Sequence, residues 1–501
     1  MNIAQVLSER SAEAGDALAI EARGRKLSFH QLERASAGFA NRLRSAGVEP
    51  GERALLVCGI SVELYAALIG CFRAGVVAVF PDPSAGLRQL NSCVELTSPR
   101  VFVGSAKAQL LRLASGAVRS IPLRMMARIL KARGRDAGLV VDAGASDTAM
   151  ITFTSGSTGA PKAAQRTHGF LLAQHAVLER TLGLTPGQID LTALPVFVLA
   201  NLASGVTSVV PDADLRRPGE IDPMPVVDQI RRSGVMSAVA SPAFFERILQ
   251  ARTQLPMLRK IFTGGAPVFP SLLDRLARMS PEADVTAVYG STEAEPIAEI
   301  ERREIQATDI GRMQSGGGLL AGRPVGEIRC RIMRNRWGTP IRERSRGEFE
   351  SESVEAGEAG EIVVSGEHVL RGYLGGRGDE ETKFRVDGEV WHRTGDLGRF
   401  DEAGRIWLLG RAAARIEDGA GILYPFTVET AAAMFAGVRR CAVLRNKGRR
   451  VLALDADRMP DGLRDAIGWA GIEEFKLCRI PVDRRHNAKV DYPALMKMLA
   501  R

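Results

Sequence analysis

Cysteine is scarce and never clustered in this chain. Six of the 501 residues, Cys58, Cys71, Cys93, Cys330, Cys441 and Cys478, stand far apart with no C-x-x-C among them. That pattern argues against a structural zinc site and a disulfide framework, and it fits a reducing compartment. Long apolar runs are missing as well. LYAALIGCF stops at Arg73, well short of the roughly 20 residues a bilayer span needs. Early charges in MNIAQVLSERSAEAGDALAIEARG leave no room for a signal-peptide core. Internal repeats are absent, and so is any RNA- or DNA-binding motif. A soluble cytoplasmic protein is expected, with two or more domains at this length.

Acidic residues are missing altogether between Arg100 and Arg135, where nine Lys and Arg stand. That local excess equals the net charge of +9, so the remainder of the chain is balanced. Leu, Ile and Met interleave these charges at roughly helical spacing. The pattern suits an amphipathic helix facing an anionic membrane or an acidic protein of the acyl pathway. A plainly solvated face remains the other reading, and nucleic acid is not expected as a partner.

Glycine, serine and threonine, by contrast, are concentrated in turns. ITFTSGSTGAPK, from Ile151 to Lys162, lays bare many backbone amides and hydroxyls in one loop. Such a loop suits phosphate, because glycine lets N–H groups approach an anion. It is not the Walker loop, which requires G-x-x-x-x-G-K-[ST]. Short apolar runs (RALLVCG, GVVAVFP, PRVFVGS) alternate with helical segments over the first 150 residues, as in a largely parallel sheet. LTALPVF, GVTSVVP, MSAVASP, LRKIFTGGAP and DVTAVYGSTEA repeat the pattern, and several run straight into Gly/Pro/Ser/Thr turns, where open α/β sheets bind ligands. From about Ile328 the texture becomes antiparallel, and after Gly410 a last piece of about 90 residues reads as a small α+β domain.

In order and spacing these turns resemble the adenylate-forming superfamily of acyl-CoA ligases, peptide-synthetase adenylation domains and luciferases, over nearly the whole chain. TFTSGSTGAPK, TGGAP, VYGSTEA, GEIVVSG, WHRTGDLGRF, GRIWLLGR and RRHNAKVDY follow in family order. The resemblance implies an α/β fold. Residues 1–410 would form a large AMP-binding domain of parallel-sheet subdomains plus a distorted antiparallel β subdomain, and residues 411–501 a small mobile α+β lid. It implies ATP and Mg²⁺. Thr154, Ser155, Gly156, Ser157, Thr158 and Gly159, with Lys162, would embrace the β- and γ-phosphates. Gly265, Ala266 and Pro267 would wall the adenine slot, and Tyr289, beside Gly290, would pack on the base. Thr292 would donate to the α-phosphate and Glu293 would hold Mg²⁺. Asp396, read as lying in a turn after a strand, would accept from both ribose hydroxyls, with Arg411 on ribose or phosphate. Lys489 would be the catalytic cation, stabilising charge as a carboxylate attacks the α-phosphorus.

Two departures narrow the resemblance. The ending His486-Asn487-Ala488-Lys489 replaces the usual Ser-Gly-Lys. Together with SVVPDADLRRPGEIDP and GGGLLAGRPV it looks like the branch of olefin-biosynthesis β-lactone synthetases and fatty acyl-AMP ligases. Most of the superfamily has Asp or Lys at the interdomain hinge, where this chain has Ala413. A glycine usually opens the pantetheine passage, where this chain has Ala420. An intramolecular hydroxyl attack needs no thiol passage, since tethering supplies an effective concentration of about 10⁵ M or more. A fatty carboxylate is expected, with Phe197, Val198, Leu199, Ala203 and Phe244 lining its pocket. His168, His175 and His392 are candidates for a base on a β-hydroxyl. An acyl-CoA or acyl-carrier ligase is the alternative, and a non-catalytic nucleotide-binding relative is a remote one.

Overall fold

Alternation of short β-branched runs with amphipathic helices produces parallel pairing in this chain. The computed structural model describes residues 1–82, 86–128, 139–155, 161–483 and 489–500. It divides into two compact units. The first takes Met1–Arg216, Ile221–Ala240 and Gly372–Gly378, and the second takes the rest. The segment 411–501 lies wholly in the second unit, and the contact division does not fall at Gly410.

In the first unit a six-stranded sheet runs in the order Leu123–Met126, Val101–Gly104, Arg53–Val57, Val77–Phe80, Thr148–Ser155, Pro161–Thr167. All neighbours pair in parallel except the last two strands, which form an antiparallel hairpin. The helix Val62–Arg73 crosses between two of the strands and is buried at all but one position. A helix apolar on every side has to be covered on every side, and Phe29–Ser45 supplies one of its neighbours. Strands Arg25–Ser28, Leu18–Ala22, Thr207–Val209, Ile189–Thr192 and Ser237–Ala240 line up as the other sheet region of this unit.

The basic stretch does not fold as one amphipathic helix. Its described part forms three helical turns, Ala106–Gln109, Leu111–Ala114 and Gly116–Arg119, followed by the edge strand Leu123–Met126. The strand forms because residues 123–126 find a parallel partner in Val101–Gly104, and a sheet edge overrides the helical spacing of the apolar residues. Residues 129–138, with Lys131, Arg133 and Arg135, lie outside the described residues.

In the second unit Lys260–Gly264 pairs in parallel with Asp284–Ser291. Antiparallel pairing then continues through Ala294–Glu301, Leu319–Pro324, Ile406–Arg411, Glu389–Phe400, Gly360–Ser365 and Arg329–Met333. The chain from Ile416 onward builds hydrophobic clusters from its own residues, around Val428, Leu452 and Leu463 and around Leu444, Ile480 and Leu495. Its three-stranded sheet combines Arg440–Asn446, Arg449–Asp455 and Glu474–Leu477. Among the described residues no helix is long and apolar enough to cross a membrane.

One carboxylate sits inside this C-terminal core. Glu429, on the helix Pro425–Ala433, is 3% exposed. It accepts from the Val443 amide at 2.9 Å and the Tyr492 phenol at 2.6 Å. Burial raises its pKa from 4.5 to about 7, against the opposing pull of those two donors. In the unfolded chain the group ionises near 4.5, while in the fold it holds its proton longer, so it lowers stability as pH rises through that window. Glu429→Gln should therefore gain on the wild type between pH 4.5 and pH 7, by up to about 3 kcal/mol, and the gain should level off above. Denaturant titrations of both proteins at pH 4.5 and pH 8 check this, and a pH-independent difference would refute it.

Candidate functional site

The site candidates fall in both units and are described within each. In the first, Thr154 and Ser155 end one hairpin strand and Lys162 is the second residue of the next, with Thr154 opposite Lys162. Gly156, Ser157, Thr158 and Gly159 lie outside the described residues. The Lys162 ammonium stands 5.7 Å from the centroid of the Tyr373 ring. Its stem fills the space beside Gly378, where an added Cβ would meet it at 2.6 Å. An isolated antiparallel bridge between Ala164 and Tyr373 fastens the same segment to the hairpin.

In the second unit the turn after Lys260–Gly264 is shaped by two glycines. A Cβ on Gly264 would lie 2.5 Å from the Val288 carbonyl of the neighbouring strand. Gly265 has φ +81°, a left-handed backbone that glycine adopts without strain. Gly265, Ala266 and Pro267 are half-buried.

Asp396 is the most connected candidate. It lies within the strand Glu389–Phe400 rather than in a turn after it. The turn-like sequence Thr394-Gly395-Asp396 is a bulge. Arg393 pairs with Val363 and Leu397 with Glu361, so three residues stand opposite Ile362. A bulge re-aims side chains without ending a strand. The Thr394 hydroxyl donates to the Ile362 carbonyl at 2.9 Å and accepts from the Asp396 amide at 3.0 Å. Gly395, at φ +72°, leaves room for the Trp337 ring and for Arg411, which an added Cβ would meet at 2.8 and 2.9 Å.

The Asp396 carboxylate is shared. Tyr289 donates its phenol to Oδ2 at 2.8 Å, and Arg411 Nη1 donates to Oδ1 at 3.0 Å. Arg411 also donates to the Thr394 carbonyl at 3.0 Å. Burial, and then the Asp396 charge, hold the phenol protonated well above its usual range. Asp396 in turn raises the guanidinium pKa of Arg411. Tyr289 is thus anchored through its hydroxyl, which orients its ring.

Beneath the bulge lies a buried ion pair that the motif gave no sign of. Arg393 donates through Nε and Nη2 to both oxygens of Glu361, each at 2.8 Å. The two side chains are 0% and 1% exposed. Arg393 also sits 5.3 Å from the Trp337 centroid and donates to the Thr339 carbonyl. Its partner is 32 residues away, so no local sequence signal could have found the pair.

Glu293 is buried, and its carbonyl accepts from the Leu370 amide at 2.7 Å. Thr292, before it, is half-exposed. Two groups that act on this neighbourhood come from the strands Lys383–Val386 and Glu389–Phe400. Buried Lys383 donates to the Leu370 carbonyl, and His392 bonds through Nδ1 to the Thr382 carbonyl at 3.1 Å. Burial and the Lys383 cation push the His392 pKa down to about 3, with Glu293 pulling the other way. The ring is neutral at any physiological pH, and a carbonyl acceptor at Nδ1 places its proton there. Among the described residues no three His, Cys, Asp or Glu side chains cluster as a metal cage. A single buried carboxylate fits Mg²⁺, which binds through one or two carboxylates and otherwise keeps water and phosphate oxygens.

Lys489 is exposed and held by its backbone. Its amide donates to Asp483 Oδ1 at 2.9 Å and its carbonyl accepts from the Asp483 amide at 2.8 Å. Ala413 is exposed in the turn Ala412–Ala414. The Ala420 amide donates to Asp418 at 2.9 Å, and Arg450 clamps that carboxylate through Nε and Nη2 at 2.8 and 2.6 Å. Arg450 also donates to the Gly421 carbonyl, at 3.0 Å. Of the acyl-pocket candidates, Phe197, Val198, Ala203 and Phe244 are buried and Leu199 is half-buried. His168 accepts from the Ile3 amide at 3.1 Å and His175 meets Ser204 at 2.9 Å, both with pKa values lowered by burial. These two hold helices in place, and of the three histidines only His392 stands beside site residues.

A family model described as "AMP-binding enzyme" matches residues 7–374. An olefin beta-lactone synthetase of Stenotrophomonas maltophilia (strain K279a) is 31% identical, over 98% of this chain and 96% of the relative. A feruloyl-CoA synthase of Amycolatopsis sp is 28% identical, over 87% and 84%. In fold the chain is similar to ATP-bound MatB from Rhodopseudomonas palustris, with a TM-score of 0.82 at 21% identity over 100% and 99% of the two chains.

Glu361→Ala would leave Arg393 buried without its counter-charge. Removing one member of a buried pair costs about 3–5 kcal/mol, so the unfolding midpoint in denaturant should fall by a corresponding amount. A change under about 1 kcal/mol would show that Trp337 and the Thr339 carbonyl suffice for the guanidinium.

Proposed function

The chain belongs to the AMP-binding enzyme family of adenylate-forming ligases, and on that premise we propose that it activates a β-hydroxy fatty carboxylate and closes it to a β-lactone. In the first step a carboxylate oxygen attacks the α-phosphorus of ATP, forming the acyl-AMP anhydride and expelling pyrophosphate. In the second, the substrate's own β-hydroxyl oxygen attacks the acyl carbonyl carbon. The bond between the acyl carbon and the AMP phosphate oxygen breaks, AMP departs with that electron pair, the hydroxyl proton passes to water, and a four-membered ring closes.

Each residue has a physical task in this reading. Thr154, Ser155 and Lys162, with the loop between them, bind the β- and γ-phosphates. Asp396 presents oxygens already ordered by Tyr289 and Arg411 to the ribose hydroxyls. Thr292 donates to the α-phosphate, and Lys489 brings a cation to the charge that develops there. Glu293 would hold Mg²⁺, which supplies neutralisation of the phosphate charge. Segment 411–501 serves as the lid that carries Lys489.

The observation that carries the lactone over a thioester is the fastening of Asp418–Gly421. Arg450 ties both the Asp418 carboxylate and the Gly421 carbonyl, and Asp418 ties the Ala420 amide. Where the superfamily opens a passage for a thiol, this chain has a methyl group on a pinned turn. A tethered hydroxyl needs no such passage. The 31%-identical lactone synthetase supports the same choice. Coenzyme A ligation is the second reading, favoured by kinship to the feruloyl-CoA synthase.

Lys489→Ala should lower single-turnover acyl-AMP formation by about 10²–10³ while leaving ATP binding intact; a rate within tenfold of wild type would remove Lys489 from the step. A β-hydroxy fatty acid should release AMP with or without coenzyme A and give a lactone by mass spectrometry. The matched acid lacking the hydroxyl should stall as bound acyl-AMP. A thioester formed from the deoxy acid only when coenzyme A is present would make the chain a ligase.

A further inference from the structure

The edge of the six-stranded sheet carries positive charge with no counter-charge and leucine with no cover. Backbone at Leu110 is helical (φ −66°, ψ −20°), so the turns Ala106–Gln109 and Leu111–Ala114 run on almost as one. Ala108 and Leu111 pack against the core cluster around Phe102 and Val118. Leu110 and Leu113 point the other way and are 60% and 79% exposed. The outer face of a helix that packs on a core is ordinarily polar, and here leucines occupy it beside Lys107. Two hydrogen bonds tie these turns to the edge strand and its approach. Gln109 donates to the Met125 carbonyl at 2.9 Å, and Arg112 donates to the Ile121 carbonyl at 3.4 Å.

Several cations elsewhere in the same unit have carboxylate partners, while others, such as Arg42 and Arg53, donate to backbone carbonyls. Arg10, Arg25, Arg73, Arg216 and Arg232 each meet a carboxylate. Among the described residues, Lys107, Arg112, Arg119, Arg124 and Arg128 meet none. All but Arg112 are exposed. Arg42, which donates to the Met126 carbonyl, has its guanidinium pKa lowered by burial and then by Arg128, a like charge left uncompensated. No Asp or Glu occurs from Arg100 to Arg135 to relieve it.

We propose that residues 105–128 dock the enzyme on an anionic lipid surface, Leu110 and Leu113 entering the headgroup boundary while Lys107, Arg119, Arg124 and Arg128 face lipid phosphates. A bilayer face presents both halves of the complement at once, a sheet of negative charge with an apolar layer directly beneath it. An acidic protein would need an apolar patch built in register beside its carboxylates to match the same surface. The assignment stands on this surface alone and is independent of which product the enzyme makes.

The test is sedimentation of the full chain with vesicles of phosphatidylcholine and phosphatidylglycerol (about 7:3), beside pure phosphatidylcholine vesicles. The wild type should partition to the anionic vesicles and leave them between about 50 and 500 mM salt, as screening shortens. Arg119→Gln with Arg124→Gln should weaken partitioning by roughly 25-fold, about fivefold per charge removed. Leu110→Ser with Leu113→Ser should weaken it by about tenfold or more with the salt dependence kept. Neither pair touches the catalytic residues, so acyl-AMP formation from a soluble carboxylate should be unchanged and serves as the folding control. Equal sedimentation with both vesicle types, or anionic binding that neither pair weakens, would overturn the proposal. So would salt-sensitive binding to soluble polyglutamate with none to the anionic vesicles, which would point to an acidic protein.

Discussion

Much of the second unit's site depends on one carboxylate having two donors. Asp396 has Tyr289 on one oxygen and Arg411 on the other, and the three residues come from three separate strands. A carboxylate held this way is oriented and partly desolvated before any ligand arrives, so little reorganisation is left for binding. The arrangement is costly to assemble. It requires a bulge of three residues opposite one, a glycine with a left-handed backbone, and the Thr394 hydroxyl to bridge the gap in the ladder. Beneath it the Glu361–Arg393 pair is sealed from water. A buried ion pair is weak evidence for net stability. Here it lies directly under the residues whose geometry matters, and it ties two strands together at the bulge.

How much of this was legible in the sequence depends on whether the determinant is local. The strands that run into glycine turns could be read, because a β-branched run followed by Gly-Gly or Ser-Gly has few other conformations open to it. Gly264 and Gly265 are where close approach and positive φ demand glycine. Asp396 was singled out by its motif and misplaced by its texture, since Thr-Gly-Asp reads as a turn and the pairing that makes it a bulge comes from Glu361–Val363. The basic stretch had the spacing of a helix, and the vacant edge beside Val101–Gly104 drew residues 123–126 into a strand. Lys383, Trp337 and Glu361 escaped notice because their partners are distant in sequence and their neighbours form no recognisable pattern.

Charge is distributed on two different plans. Around Asp396 each charge has an opposite within reach. Near Glu293, His392 is kept neutral by burial and Lys383. A site of this kind keeps its electrostatics fixed across the physiological pH range. At the sheet edge formed by residues 105–128 the cations have no such partners. Unpaired surface charge acts at longer range and yields to salt, which suits attraction to a surface rather than the holding of a reacting group.

The contact between Tyr373 and the hairpin of Lys162 and Ala164 has a consequence for synthesis. The first unit is completed by Gly372–Gly378, a segment some two hundred residues downstream of the strand it touches. At about 5–20 residues per second, roughly ten to forty seconds separate the emergence of that strand from the ribosome and the arrival of its last partner. Through that interval Pro161–Thr167 is the terminal strand of its sheet, with an open edge that another nascent chain could pair with. This hairpin is therefore among the last parts of the first unit to be sealed, although some two hundred residues separate it from the segment that seals it. A factor that shields nascent strand edges would be needed longest there.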